Sequence, residues 1–184
     1  MRVGAVVLAA GASTRLGKPK QLLTLSGETL LKRAVRVARE AGCSPVVVVL
    51  GASAASIQAA CDLGDAVVVV NEDWAEGMGS SVRVGVGGFG DLDACVVTTC
   101  DMPAVTGEHL RSLMTTGEVT ASFYAGRPGV PAYFPVSVFP SLMELRGDAG
   151  AKGLLRSARL VELVGGELDI DTVEDLERAR ELFG

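Results

Sequence analysis

The sequence has few residues of the kinds that build metal clusters or disulfide frameworks. Its four cysteines, Cys43, Cys61, Cys95 and Cys100, include no Cys-x-x-Cys pair, and His109 is the only histidine. This composition gives no basis for a zinc site. Unpaired cysteines scattered through apolar stretches are typical of a reducing compartment, which predicts a cytoplasmic protein.

Long apolar runs and long basic runs are also missing. No apolar run approaches the ~18 residues of a membrane-spanning helix, and Gly11, Ser13 and Arg15 stand where a signal peptide would need its cleavage site. The 17 Lys and Arg residues are outnumbered by 22 Asp and Glu, and the net charge is −5. These absences argue against a membrane partner, an export signal and broad binding to nucleic acid.

Apolar residues are abundant enough for a substantial core. The chain has 184 residues, of which 48% are hydrophobic, and this length corresponds to about one domain. We therefore predict a single domain over residues 1–184.

Apolar runs alternate along the chain with segments of helical periodicity. Runs rich in β-branched residues predict buried parallel strands at residues 3–8, 46–50, 67–70 and 94–99. Helical patterns follow them at residues 29–41, 53–61, 80–86 and 106–114. Shorter strands are predicted at residues 120–124, 131–134 and 160–164. The alternation predicts an α/β fold with a doubly wound, mostly parallel sheet, closed by a helix that Thr172 and Asp175 cap.

The loop that follows the first strand, residues 8–20, combines small residues with positive charge. Arg15, Lys18 and Lys20 place three of the 17 basic residues within six positions. Small residues let backbone N–H groups approach an anion, and the cations add charge-assisted hydrogen bonds, so the loop predicts a polyphosphate site. Its spacing matches neither a Walker loop nor a dinucleotide fingerprint. The alternative is a solvated loop with chance glycines.

An aspartate follows the predicted strand at residues 94–99. Ligands gather at the carboxyl ends of parallel strands, so Asp101 is expected to face the same crevice as the loop. A carboxylate beside a polyphosphate suggests Mg²⁺; the alternative is a turn before Pro103. Asp171, just before the last helix, is either a second metal ligand or an acid placed at a helix N-terminus.

A thiol nucleophile is a weaker hypothesis. Cys100 precedes Asp101, and His109 could serve as its base, but nothing in the sequence orients that pair. We expect Cys100 to be a core residue and His109 to lie on the exposed face of its helix.

Three further polar segments could contact substrates. Residues 74–81 suit a nucleobase packing on backbone, although a helix N-cap at Ser80 explains them almost as well. Residues 127–131 and 147–152 form predicted turns that either bind a second substrate or are only loops.

Taken in order, these segments resemble the MobA/MocA-like nucleotidyltransferase family, most closely its molybdenum cofactor cytidylyltransferases, over nearly the whole chain. The resemblance implies a Rossmann-like nucleotidyltransferase fold, catalysis by Arg15, Lys20 and Asp101, and Mg²⁺ held by Asp101 and Asp171. It implies nucleotide binding by Leu8, Ala9, Ala10, Gly11, Ser13, Gly17, Gly79, Ser80 and Ser81. It implies acceptor binding by Arg127, Gly129, Pro131, Asp148, Gly150 and Lys152.

The reaction that the resemblance implies is transfer of CMP from CTP to the phosphate of molybdenum-bound molybdopterin, with release of pyrophosphate and a molybdoenzyme as a possible client. Ala10 replaces a glycine typical of guanylyl-transferring relatives, which favours CTP, whereas Val130 replaces a histidine usual in cytidylyltransferases. Another phosphorylated acceptor, such as a sugar or polyol phosphate, is therefore an alternative. A binding or maturation factor without turnover is a second alternative, and the basic and acidic residues together argue against it.

Overall fold

The polypeptide alternates between strands and helices along its length, and the computed structural model describes residues 1–184. The strands are β1 (Val3–Ala9), β2 (Thr24–Leu25), β3 (Glu28–Thr29), β4 (Val46–Leu50), β5 (Val67–Val70), β6 (Ala94–Thr99), β7 (Thr120–Tyr124), β8 (Arg127–Pro135) and β9 (Arg159–Glu162). The helices are α1 (Leu30–Glu40), α2 (Ala54–Ala60), α3 (Met78–Gly87), α4 (Gly107–Leu113), α5 (Phe139–Met143), α6 (Lys152–Leu155) and α7 (Val173–Phe183). Short 3₁₀ turns occupy Lys20–Leu22, Trp74–Glu76 and Val136–Val138.

Seven strands form one sheet in the order β5-β4-β1-β6-β8-β7-β9. Only β8 runs antiparallel to its neighbours, β6 and β7. The remaining pairs are parallel. The prediction of a doubly wound, mostly parallel α/β fold is confirmed.

Helices cover both faces of the sheet, and this explains why β1 and β4 are buried along their whole length. On one face, Leu31 of α1, Ile57 of α2 and Leu110 of α4 share a core. On the other face, Val82 of α3 and Leu142 of α5 pack in a second core with residues from α6. Alternate residues of β1 enter the two cores because successive side chains of a strand point to opposite faces.

A third, smaller core joins the β2–β3 hairpin to the C-terminal segment. Leu25 and Leu30 pack there with Ile170 and Leu176. The N–H of Ile170 donates to the Asp101 carbonyl at 2.9 Å. The predicted capping box starts α7: Thr172 accepts from the Asp175 N–H, and the Asp175 carboxylate accepts from the Thr172 N–H. This packing fixes Asp171 close to the end of β6.

Three predictions of local structure were wrong. Val67 and Val70 are exposed rather than buried, because β5 is an edge strand that one neighbour covers. Residues 127–131 belong to β8 and are not a free turn. Helix α3 begins at Met78 after Gly77, so Ser80 lies inside the first turn and is not the N-cap. No helix is both long enough and apolar enough to span a bilayer.

Candidate active site

The candidate site lies at the carboxyl ends of β1 and β6, which are adjacent strands. Leu8 pairs with Thr99 in their parallel register. The loop that leaves β1 and the Cys100–Asp101 segment that leaves β6 therefore start side by side, at the edge where open α/β sheets bind ligands.

The loop after β1 is held at both ends by side chains. The Lys20 N–H donates to Ser13 Oγ at 3.0 Å. Gln21 Nε2 donates to the carbonyls of Ala9, at 2.7 Å, and Gly11, at 3.3 Å. Ser13 and Gly17 adopt positive φ angles of 52° and 66°. The backbone N–H groups of residues 11–15 have no acceptor within the protein, so they are free to bind an anion.

Four charged side chains meet where the loop ends. Lys20 Nζ lies 2.5 Å from Asp101 Oδ2 and 2.8 Å from Asp171 Oδ1. Arg15 lies 3.1 Å from the other carboxylate oxygen of Asp171. Burial of the Lys20 ammonium opposes its charged form, but the two carboxylates outweigh this effect and raise the pKa of Lys20 above its usual value. The lysine is therefore a permanent cation at neutral pH.

The Asp101 carboxyl fits a divalent cation. Its side chain is only 13% exposed, and Oδ1 is buried without any hydrogen-bond partner. An unsatisfied buried carboxylate oxygen is costly unless a ligand satisfies it. One or two carboxylates with substrate phosphates are a usual Mg²⁺ environment, and Asp101 with Asp171 supplies such a pair. No cluster of three or more His, Cys, Asp or Glu side chains is present that would hold a metal without substrate.

A third carboxylate stands near this pair. The pKa of Asp169 is raised to about 6, first because the surrounding protein displaces water from the carboxyl and second because Asp101 and Asp171 are negatively charged. Asp169 is still accessible to solvent, so this charge can be screened in part.

A first cavity of about 420 Å³ opens over the loop. It is lined by Leu8, Ala9, Ala10, Gly11, Lys20, Gln21, Trp74, Ala75, Gly77, Met78, Ser81, Thr99, Cys100, Asp101 and Asp148. The lining combines the ring of Trp74 and other apolar side chains with the charged Lys20, Asp101 and Asp148, which suits a ligand with a flat ring and an anionic tail.

Two neighbouring serines on α3 differ in their hydrogen bonds, and only Ser81 lines this cavity. Asn71 Nδ2 donates to Ser80 Oγ at 2.8 Å and to Ser81 Oγ at 3.0 Å. Ser80 in turn donates to the Gly77 carbonyl at 2.8 Å, so its hydroxyl is committed to the protein. The Ser81 hydroxyl hydrogen has no acceptor in the protein, and Ser81 lines the cavity. Ser81 is therefore the serine that can donate to a ligand.

A second cavity of about 440 Å³ lies beside the first. It is lined by Met78, Thr99, Asp101, Met102, Tyr124, Arg127, Pro128, Gly129, Val130, Ala149, Ala151, Lys152, Leu155 and Asp169. Met78, Thr99 and Asp101 belong to both cavities. The two spaces therefore meet at Asp101, with Arg127 and Lys152 as cations in the second.

The structure brings together most of the sequence-predicted site residues, but not all in the predicted places. Asp148 lies in the first cavity rather than beside Lys152 in the second. Gly150 packs against Met78. Pro131 is buried, and its carbonyl accepts from Ser122 at 2.6 Å. Ser13, Gly17, Gly79 and Ser80 line neither cavity and shape the surrounding backbone.

The thiol and the histidine do not form a pair. Burial raises the pKa of Cys100 to about 12, so the thiol stays protonated. His109 is half-buried rather than exposed as predicted, and Nε2 lies 2.7 Å from Ser122 Oγ. Since Ser122 donates to the Pro131 carbonyl, the imidazole donates to Ser122 and supports β8.

Sequence reasoning missed Gln21, Thr99 and Tyr124. Tyr124 faces the second cavity, and its hydroxyl donates to the Val130 carbonyl at 2.9 Å. Thr99, the last residue of a predicted strand, could have been found by the rule that strand ends face ligands. Gln21 follows Lys20 directly, but its contacts are with backbone atoms 10 and 12 positions away, which no residue pattern signals.

The family comparison identifies the class of protein as a nucleotidyltransferase. The model of the MobA-like NTP transferase domain matches residues 5–163, and the chain belongs to this family. The prediction of family membership is confirmed.

Relatives extend over the whole chain. Nicotine blue oxidoreductase of Paenarthrobacter nicotinovorans is 35% identical, over 96% of this chain and 95% of its own. Molybdenum cofactor cytidylyltransferase of Escherichia coli is 26% identical, over 98% and 97%. The crystal structure of Rv0371c of Mycobacterium tuberculosis H37Rv in complex with manganese superposes with a TM-score of 0.83 at 33% identity, over 99% of this chain and 100% of that one.

Proposed function

We propose that this nucleotidyltransferase transfers CMP from CTP to the phosphate of molybdenum-bound molybdopterin and releases pyrophosphate. The observation that carries the proposal is the meeting of two cavities at Asp101. Two substrates bound on either side of this carboxylate, with Lys20 beside the first, are positioned for group transfer between them.

The first cavity would hold the nucleotide. Its base would pack near Ala10 and Trp74 and accept a hydrogen bond from Ser81. The triphosphate would extend along the free N–H groups of the loop to Lys20 and Arg15. These cations are already paired with Asp101 and Asp171, and a phosphate would replace part of that pairing with equally strong charge-assisted hydrogen bonds.

A divalent cation would be held by Asp101 and Asp171 together with phosphate oxygens. The manganese complex of the Mycobacterium relative supports a metal requirement, and Mg²⁺ is the ion we propose for this chain. When bound, such an ion neutralises charge on the transferring and leaving phosphates.

The acceptor would bind in the second cavity, where Arg127 and Lys152 favour an anionic group. Its phosphate oxygen would attack the α-phosphorus of CTP, a new P–O bond would form, and the bond to pyrophosphate would break. Lys20 and Arg15 would stabilise negative charge on the leaving group. No covalent intermediate with the protein is required.

CTP and molybdopterin are supported by different observations. Ala10 and Trp74 both line the first cavity, and the methyl group of Ala10 takes room that a purine would need, which favours a pyrimidine. The full-length similarity to the Escherichia coli cytidylyltransferase supports the acceptor. Val130 in the wall of the second cavity departs from that family's usual histidine, so a sugar or polyol phosphate is the second candidate acceptor.

The test is incubation with Mg²⁺, each nucleoside triphosphate in turn, and molybdenum-bound molybdopterin or a panel of sugar and polyol phosphates. Pyrophosphate release and the mass of the product are measured. We expect a cytosine dinucleotide product from CTP and molybdopterin. Pyrophosphate release with a sugar or polyol phosphate, but not with molybdopterin, would identify the second candidate as the acceptor. No pyrophosphate from any combination would contradict nucleotidyl transfer and favour a binding or maturation role, or the redox activity for which the Paenarthrobacter relative is named.

A further inference from the structure

Gln21 is a fully buried polar side chain directly after Lys20. It is 0% exposed and lies in the 3₁₀ turn that closes the loop after β1. Its amide nitrogen donates to two carbonyls of that loop, Ala9 at 2.7 Å and Gly11 at 3.3 Å. A carbonyl can only accept, so the amide nitrogen must face the loop and Oε1 must point elsewhere.

These two contacts fix the orientation of two loop peptides. The peptides after Ala9 and Gly11 are trans, because the chain's cis bonds are elsewhere. In a planar trans peptide, the carbonyl and the following N–H point in opposite directions. Gln21 therefore turns the N–H groups of Ala10 and Ala12 to the side of the loop away from its own amide.

The oriented N–H groups need a partner that the protein does not supply. Neither Ala10 nor Ala12 donates a backbone hydrogen bond within the chain. Ala10 is buried, at 8% exposure, and a buried N–H group is rarely left unpaired. Gln21 Oε1 is itself buried without a partner, like Asp101 Oδ1 in the same cavity wall. In this part of the loop, the N–H groups of Ala10 and Ala12 are therefore free, whereas the carbonyls of Ala9 and Gly11 are occupied by Gln21.

We propose that Gln21 is a positioning residue for the phosphates of the nucleotide. It acts through the loop: by occupying the carbonyls of Ala9 and Gly11, it removes their negative dipoles from the anion's path and directs N–H groups toward the anion. The inference rests on the proposed function, because it assumes that the loop binds a polyphosphate.

The test compares wild type with Gln21→Met, which keeps the length and volume of the side chain but has no donor. Binding of CTP and of inorganic pyrophosphate, each with Mg²⁺, is measured by titration calorimetry. We expect both dissociation constants to rise about 10-fold. Gln21→Glu, whose ionised carboxylate repels the two carbonyls, should weaken both ligands as well and serves as a second variant if Gln21→Met does not fold.

A control separates positioning from loss of stability. Phe134 is fully buried beside Cys95, at the opposite end of β6 from Asp101. Phe134→Leu should lower the melting temperature without changing either dissociation constant. Unchanged binding of both ligands by Gln21→Met, or weaker binding of CTP alone, would overturn the inference, since the loop contacts the phosphates common to both. Failure of the wild type to bind either ligand would instead overturn the proposed function.

Discussion

Lys20 Nζ lies 2.5 Å from Asp101 Oδ2, although 81 positions separate the two residues in the chain. The contact forms because β1 and β6 are neighbours in the sheet, so the segments that follow their carboxyl ends start side by side. Both side chains are less than a fifth exposed. Asp101 lies where the two cavities meet, and Lys20 lines the first cavity beside it. A bound substrate can therefore contact this ion pair and replace part of it.

Replacing Lys20 should slow catalysis strongly while the fold survives. We expect Lys20→Ala to lower kcat/KM for pyrophosphate release by roughly 10²- to 10³-fold, the usual loss for one preorganised charge-stabilising donor. Lys32, exposed on α1 and without an ion pair, provides the matched control, and Lys32→Ala should keep wild-type rates. A Lys20→Ala protein with unaltered kcat/KM would exclude the loop from catalysis.

The nucleobase preference is predicted to depend on Ala10. A methyl group placed on Gly51 would lie 2.6 Å from Trp74 Cβ and 2.9 Å from Ala10 Cβ, so Ala10 and Trp74 are both packed against Gly51 and held in place in the wall of the first cavity. Ala10→Gly should shift the kcat/KM ratio toward GTP by roughly 10-fold, within the range for one methyl group.

Ala12→Gly is the control for the base preference, because Ala12 lies in the same loop but not in the cavity wall. Added backbone freedom at this position should change kcat/KM for CTP and for GTP by the same factor. Equal kcat/KM for the two nucleotides in the wild type would remove the steric argument.

The sequence predicts the first half of the fold better than the second for a physical reason. Strands β1, β4 and β6 are buried on both faces and form uninterrupted apolar runs. Strand β8 begins with Arg127, Pro128 and Gly129, residues typical of a turn. It is a strand because β7 pairs with it across an irregularity between Ala121 and Ser122, and long-range pairing of this kind overrides local propensity.

In the candidate site, too, some residues could be predicted from the sequence and others could not. Lys20, Asp101 and Asp171 are found by charge and by their places after strands, which are local properties. Asp148 enters the first cavity because its loop packs on the start of α3, where the Gly79 N–H donates to the Gly147 carbonyl at 2.9 Å. That contact joins segments almost 70 positions apart, and no spacing rule predicts it.

The size of the acceptor cavity is predicted to depend on Gly129. A methyl group there would overlap the hydroxyl of Tyr124, whose bond to the Val130 carbonyl would then be lost. We expect Gly129→Ala to raise KM for the acceptor several-fold while KM for the nucleotide stays unchanged, since Tyr124 lines only the second cavity. Initial rates with each substrate varied in turn give both constants.

The control for this substitution is Gly90→Ala. An added methyl at Gly90 meets no atom within 4 Å, so both KM values should match the wild type. Equal rises in both constants for Gly129→Ala would indicate a general disturbance of the sheet instead of a specific effect on the acceptor.

The neighbours Cys100 and Asp101 should respond oppositely to substitution. Asp101→Asn removes a carboxylate that pairs with Lys20 and that we propose as a metal ligand, so turnover and its dependence on Mg²⁺ should be nearly abolished; the ion's share of transition-state stabilisation is several kcal/mol. Cys100→Ser changes a thiol whose pKa burial raises to about 12. It should mainly destabilise the fold, by about 1–3 kcal/mol if the buried hydroxyl stays unpaired. Steady-state kinetics and thermal melts of both variants separate the two effects. A folded but inactive Cys100→Ser protein beside an active Asp101→Asn protein would replace metal-assisted transfer with thiol chemistry.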